Sequence, residues 1–180
     1  FFNGKMIMGK LVINGEVGHM TMNVHGPKCY CGNHGCFEIY CGENYLLQKA
    51  AKLIHGSHPC EILCDLVKTK KRPLSIETLF EARNLGSIKV QRLLTEAAEY
   101  LGAALVNLYN LYDPDEVIIS GTMIENDDYV LNLAIAEAKK CVVSRFAVDI
   151  APSKARLKTS EHEKAVCADV FYKMTDTIIG

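Results

Sequence analysis

Cys29, Cys31 and Cys36 fall within eight residues, Cys29-Tyr30-Cys31-Gly32-Asn33-His34-Gly35-Cys36. Zinc takes four ligands at tetrahedral corners, and three thiolates with one imidazole are a common closed set. Disulfides across so short a spacing would be strained; a loop of free thiols is the plain alternative. Gly26, Gly32 and Gly35 let the backbone turn tightly around an ion. Three histidines lie nearby: His19, ten residues before Cys29; His25, four before it; and His34, inside the cysteine loop, where adjacency would crowd a metal. Spacing alone leaves the choice among them open. A structural metal contributes folding free energy directly, so its removal is expected to loosen residues 16–40. The remaining cysteines, Cys41, Cys60, Cys64, Cys141 and Cys167, sit among apolar or helical neighbours as small hydrophobes. That usage fits a reducing, cytoplasmic setting.

The elements that must position this cluster follow from periodicity. Residues 1–37 are glycine-rich, with short apolar runs at Lys5–Met8 and at Leu11–Ile13, the second closed by the turn pair Asn14-Gly15. A helical pattern runs from Glu38 to His55, with Tyr45, Leu46, Lys49, Ala50 and Leu53 in step and Gly56 as its stop. Lys68, Lys70, Lys71 and Arg72 form a basic run that reads as a solvated loop or helix end, with phosphate contact as the alternative. Ser75 caps a short helix to about Leu85. Ser87 opens the clearest helix, striped by Leu94, Ala97, Ala98, Leu101, Ala104, Leu105 and Leu108 and ended by Asp113-Pro114. Glu116-Val117-Ile118-Ile119-Ser120, closed by Gly121, reads as a buried strand. A helix at about 127–141, a strand at 147–150 and a last helix capped by Ser160 and Glu163 complete an α/β layer with parallel strands. The long helix reads as domain core, with a dimer surface near Tyr109 and Tyr112 as the alternative.

The chain has 180 residues and a net charge of −1, with 49% hydrophobic and 23% charged residues. These values suit one globular domain. They lack the basic excess of a nucleic-acid binder, and no apolar run approaches the roughly 20 residues of a membrane span. Phe1-Phe2-Asn3-Gly4-Lys5 resembles neither a start nor a signal peptide, so the sequence is expected to begin inside a longer protein.

Glu16-Val17-Gly18-His19, followed by Gly26-Pro27-Lys28-Cys29-Tyr30-Cys31-Gly32-Asn33-His34-Gly35-Cys36-Phe37-Glu38, resembles the signature of the ROK family (repressor, open reading frame, kinase). Tyr100-Leu101-Gly102 through Asn107-Leu108, and Asp113-Pro114 to Gly121, look like its carboxy-terminal half. The resemblance implies an actin-like (ribonuclease H-like) ATPase-type lobe. On that basis residues 1–180 are one carboxy-terminal ROK piece: a zinc- and sugar-binding segment at 15–40, a helical region at 38–112 and an α/β segment at 115–180, with the upstream domain absent. It also implies that His19, Cys29, Cys31 and Cys36 hold Zn2+, and that Glu16, His19 and Glu38 face a sugar or amino sugar. Carboxylates accept paired hydrogen bonds from neighbouring sugar hydroxyls, and a histidine with one nitrogen on metal has the other oriented. Surface charge, or for Glu38 the acidic first turn of a helix, is the plainer reading.

The family's sugar kinases carry an amino-terminal Asp-x-Gly phosphate loop and a catalytic aspartate. Neither is present here, so this polypeptide is expected to be inactive by itself. ATP and Mg2+ belong only to the kinase alternative. Three features favour a sugar-responsive transcriptional regulator. Ser120-Gly121-Thr122-Met123 has one glycine where kinases resemble one another in a Gly-Gly-Gly turn. Glu163–Ala168 lacks the Gly-Ala pair that opens their last helix. Gly18–Thr21 and Val106–Pro114 look more like the regulators. The bulkier Lys10-Leu11-Val12-Ile13-Asn14 departs from the family's small residues and bears on sugar affinity. On this reading the parent is a cytoplasmic homodimer, contacts DNA through an upstream domain and has no membrane segment.

Overall fold

The computed structural model describes residues 9–10, 15–141 and 150–155. Helices dominate them. α1 (Glu38–Cys41) and α2 (Glu43–His55) are followed by α3 (Glu61–Cys64), which widens into a π-type turn over Asp65–Thr69. Then come α4 (Ile76–Asn84), α5 (Ile88–Tyr112), β1 (Ile118–Ile119), α6 (Thr122–Asn126), α7 (Tyr129–Cys141) and β2 (Ser153–Lys154).

α5 is the spine. Its start is fixed as the sequence predicts, because Ser87 Oγ accepts from the Val90 N–H at 3.3 Å. Ser75 does the same for α4 by accepting from the Thr78 N–H. Each cap satisfies a backbone donor that the helix itself leaves open. Val90, Leu94, Ala97, Ala98, Leu101 and Leu105 turn inward against Leu46, Ala50 and Ile54 of α2, Leu79 of α4, and Val130, Ala134 and Ala138 of α7. α5 and α7 approach closely at Gly102. A Cβ there would come 2.7 Å from the Ala134 carbonyl oxygen, which accounts for a glycine inside a helix despite its entropic cost of about 1 kcal/mol.

The α/β expectation needs correction in its proportions. Among the described residues the sheet is one parallel pair, Ile118 against Ser153 and Ile119 against Lys154. The run at 116–120 is not a buried strand: Ile118 is 62% exposed, and only Val117 and Ile119 pack on the core. A continuous apolar run predicts cover on both faces, and among the described residues only one face has it. Of the strand expected at 147–150, only Ile150 is described; it is buried, in the core. The expected elements at Lys5–Met8, Leu11–Ile13 and from Ser160 onward lie outside the described residues.

One helical boundary also differs. The 38–55 pattern is two helices, because Gly42 is extended (φ −65°, ψ 139°). The 57–71 stretch holds α3 and its π-type turn, with Leu63 and Leu66 fully buried. The basic run ends that element, as a helix end, and partly pairs with acids: Lys70 with Asp65 at 3.1 Å and Arg72 with Glu81 at 3.8 Å.

Candidate functional site

Residues 15–37 form a loop held by backbone bonds and short bridges. A 3-10 turn over Val17–His19, in which the His19 N–H donates to the Glu16 carbonyl (3.0 Å), aims His19 at the cysteines. Isolated antiparallel bridges join Thr21 to Cys36 and Lys28 to His34. Within them the Cys29 N–H donates to the Asn33 carbonyl (2.7 Å), and the Gly35 N–H to that of Pro27 (2.8 Å). The chain thus doubles back twice and brings Cys29, Cys31 and Cys36 to the imidazole.

One potential ligand atom from each of His19, Cys29, Cys31 and Cys36 lies within 4.8 Å of all the others. Cys31 Sγ and Cys36 Sγ are 3.7 Å apart, and Cys29 Sγ is 3.8 Å from His19 Nδ1. A tetrahedral centre with Zn–S of about 2.3 Å sets neighbouring sulfurs about 3.8 Å apart, so these donors fit such an ion in both type and spacing. Cys29 and Cys36 are buried and Cys31 is exposed. Burial pushes the Cys36 thiol up to about 12, helped by Cys31 and Cys29 beside it. The Asn33 backbone N–H holds Cys31 below the ordinary thiol value. His25 and His34 are not part of that group; His34 Nδ1 is 3.2 Å from the Gly26 carbonyl oxygen. Of the three nearby histidines, His19 is the one with a ring nitrogen grouped with these sulfurs.

The three residues expected to face a sugar converge. His19 lies between two carboxylates, with Nδ1 3.8 Å from Glu38 Oε1 and Nε2 3.9 Å from Glu16 Oε2. Glu38 opens α1, and the Cys29 thiol donates to its Oε1 at 3.3 Å. Its carboxylate is thereby tied to the sulfur cluster. Glu16 is largely exposed. The sequence reading did not single out Tyr30, whose hydroxyl is 3.2 Å from His19 Nε2. Its pKa is raised, by desolvation first and then by Glu38, Cys29 and Glu16. A signal for it was present in the sequence, since a residue between two ligands two apart has its backbone fixed on both sides. Tyr40 was missed as well. It is buried with Cys29, Cys36 and Ile39 and stacks on Tyr100 of α5 (centroids 3.7 Å, planes 11° apart), a pairing across 60 residues that no local pattern announces.

Comparison with known proteins gives a consistent set. The ROK family model matches residues 1–167. The xylose repressor of Bacillus subtilis (strain 168) is 32% identical over 144 residues, covering 80% of this chain and 33% of the repressor. The DNA-binding transcriptional dual regulator NagC of Escherichia coli (strain K12) is 26% identical over 129 residues, 72% of this chain and 30% of NagC. The chain thus spans about a third of the length of these curated relatives. Among solved structures, a ROK family glucokinase from Streptomyces griseus in complex with glucose and AMPPNP matches with a TM-score of 0.70 and 23% identity, over 86% of this chain and 50% of that one.

Proposed function

The chain belongs to the ROK family and has the actin-like fold of its kinases and regulators, and from that premise we propose that it is the sugar-binding effector part of a transcriptional regulator. The observation that carries this reading is the convergence of Glu16, His19 and Glu38 beside a His/Cys cluster suited to a metal. Two curated relatives named as a repressor and a DNA-binding regulator support the regulator over the kinase. So does the single glycine of the Ser120-Gly121-Thr122-Met123 turn.

Zn2+ held by His19, Cys29, Cys31 and Cys36 would cross-link the loop and draw the protons from its thiol ligands. The protein's own groups do the rest. Glu38 and Glu16 accept hydrogen bonds from sugar hydroxyls. His19, with Nδ1 on the cluster side, keeps Nε2 for a third hydroxyl. Fixing these groups in advance lowers the ordering cost of binding. On this reading the intact protein works in the cytoplasm as a homodimer and meets DNA through a segment outside this chain, with sugar shifting it between states.

The test is calorimetric titration of the intact protein with D-xylose, D-glucose and N-acetylglucosamine. Hydrogen bonds to a charged group contribute about 1.5–3 kcal/mol, so Glu38→Ala is expected to weaken the sugar that binds by roughly ten- to a hundredfold. Binding unchanged in both Glu16→Ala and Glu38→Ala would sink the reading.

A further inference from the structure

Tyr30 lies between two cysteines of the cluster, in a turn closed by the Gly32 N–H donating to the Cys29 carbonyl at 3.0 Å. Both neighbours belong to the cluster, and Tyr30 is 75% exposed. It is nonetheless engaged. Its hydroxyl is 3.2 Å from His19 Nε2, and the two rings meet edge to face with centroids 5.2 Å apart and planes at 77°. His19 Nδ1 is the nitrogen near Cys29 and Glu38, so Nε2 is the one left for a ligand. Glu16 Oε2, at 3.9 Å, is too far from it for a hydrogen bond. Tyr30 therefore occupies the nitrogen on which the proposed sugar site depends.

We infer that Tyr30 is a built-in cap on the effector site: its hydroxyl holds the place on His19 Nε2 that a sugar hydroxyl takes, and the sugar must displace it to bind. This rests on the sugar-binding reading above. With Nδ1 turned to the metal, Nε2 carries the N–H, and a phenol and a sugar hydroxyl offer it the same oxygen acceptor at the same distance, so the two compete. Tyr30 is exposed, so its displacement gives up that hydrogen bond and the edge-to-face contact with His19. The cap would keep His19 in one orientation while the site is free of sugar and would lower affinity for every sugar that uses Nε2.

The experiment compares wild type, Tyr30→Phe and Glu38→Ala in the intact, metal-loaded protein, titrated calorimetrically with D-xylose, D-glucose and N-acetylglucosamine. Zinc content and thermal midpoint are measured alongside. Removing the competing hydroxyl is expected to tighten binding about two- to tenfold in Tyr30→Phe, with zinc content and midpoint unchanged. Binding that is unchanged or weaker in Tyr30→Phe, while Glu38→Ala still loses it, overturns the cap and leaves the sugar site standing. A wild type that binds none of the three sugars overturns both. NMR of the wild type gives a reading that needs no variant: on saturation with sugar the Tyr30 ring and His19 signals should move together, and a Tyr30 ring that does not move contradicts the cap.

Discussion

At Gly35 the loop passes so close to Asn23 that a Cβ would lie 1.6 Å from its carbonyl oxygen, and φ is +65°. An L side chain pays about 1–2 kcal/mol for the left-handed region alone, before the clash. Gly35 is also next to Cys36, and the Met22 N–H donates to its carbonyl at 2.7 Å. Gly35→Ala is therefore expected to cost more than about 2 kcal/mol and to lower metal content, read by thermal melting and elemental analysis. An unshifted midpoint with full metal would contradict this account of the loop. The glycines around the cysteines were readable in the sequence as turn-makers, and so was the cysteine trio. Which histidine joined them was not readable from spacing, because the 3-10 turn that aims His19 has no sharp local code.

Among the elements, the junction of α4 and α7 carries the clearest electrostatics. Arg83 of α4 donates to both carboxylate oxygens of Asp127, at 3.1 and 2.8 Å, and lies 4.4 Å from the centroid of the Tyr129 ring. Asp127 Oδ1 also accepts from the Tyr129 N–H at 2.7 Å, so one side chain both caps α7 and clamps α4. Burial alone would raise the Asp127 pKa, but Arg83, the Tyr129 N–H and Lys154 overcome it and hold the carboxyl below its ordinary value. A lowered folded-state pKa means that the unfolded chain binds the proton more readily. The stabilisation is present above about pH 4, the ordinary carboxylate range, and is lost as pH falls through the folded value. Asp127→Asn is expected to cost about 1–3 kcal/mol at pH 7 and to flatten the acid limb of the stability curve, followed by urea melts from pH 7 to 3. A variant with the wild-type pH profile would contradict this assignment. The helices themselves were legible where local chemistry and periodicity agreed, as at Ser75, Ser87 and the α5 stripe. They were not where signals conflicted. Pro59 and the basic run masked the spacing of Leu63 in α3 and Leu66 in the π-type turn, and β-branched Ile118 and Ile119 suggested burial that only tertiary cover can supply.

At the scale of the described molecule, α1, which directly follows the loop, ties it to the helical body, and the Asn107 amide of α5 donates to Met22 Sδ of the loop at 3.9 Å. Tyr40 stacks on Tyr100 of α5, and the Lys49 ammonium, 5.5 Å from the Tyr40 ring centroid, also donates to Glu96 of α5 at 3.1 Å. α5 in turn packs along α7. Glu38 and Tyr40 share α1, so packed contacts run from the cluster into α5. The family was legible in 16–38, where the spacing of Cys, His and Gly is distinctive. Long-range pairings such as Tyr40 with Tyr100 were not, because nothing in either segment specifies the other. The central claim is that three thiolates and one imidazole hold a metal that fixes the carboxylates. Elemental analysis with zinc-edge X-ray absorption on the intact protein, purified without chelators, tests it most directly. One zinc per chain in a shell of three sulfurs at about 2.3 Å and one nitrogen at about 2.0 Å is the predicted result. Protein free of zinc, or zinc in a shell dominated by oxygen, would contradict it.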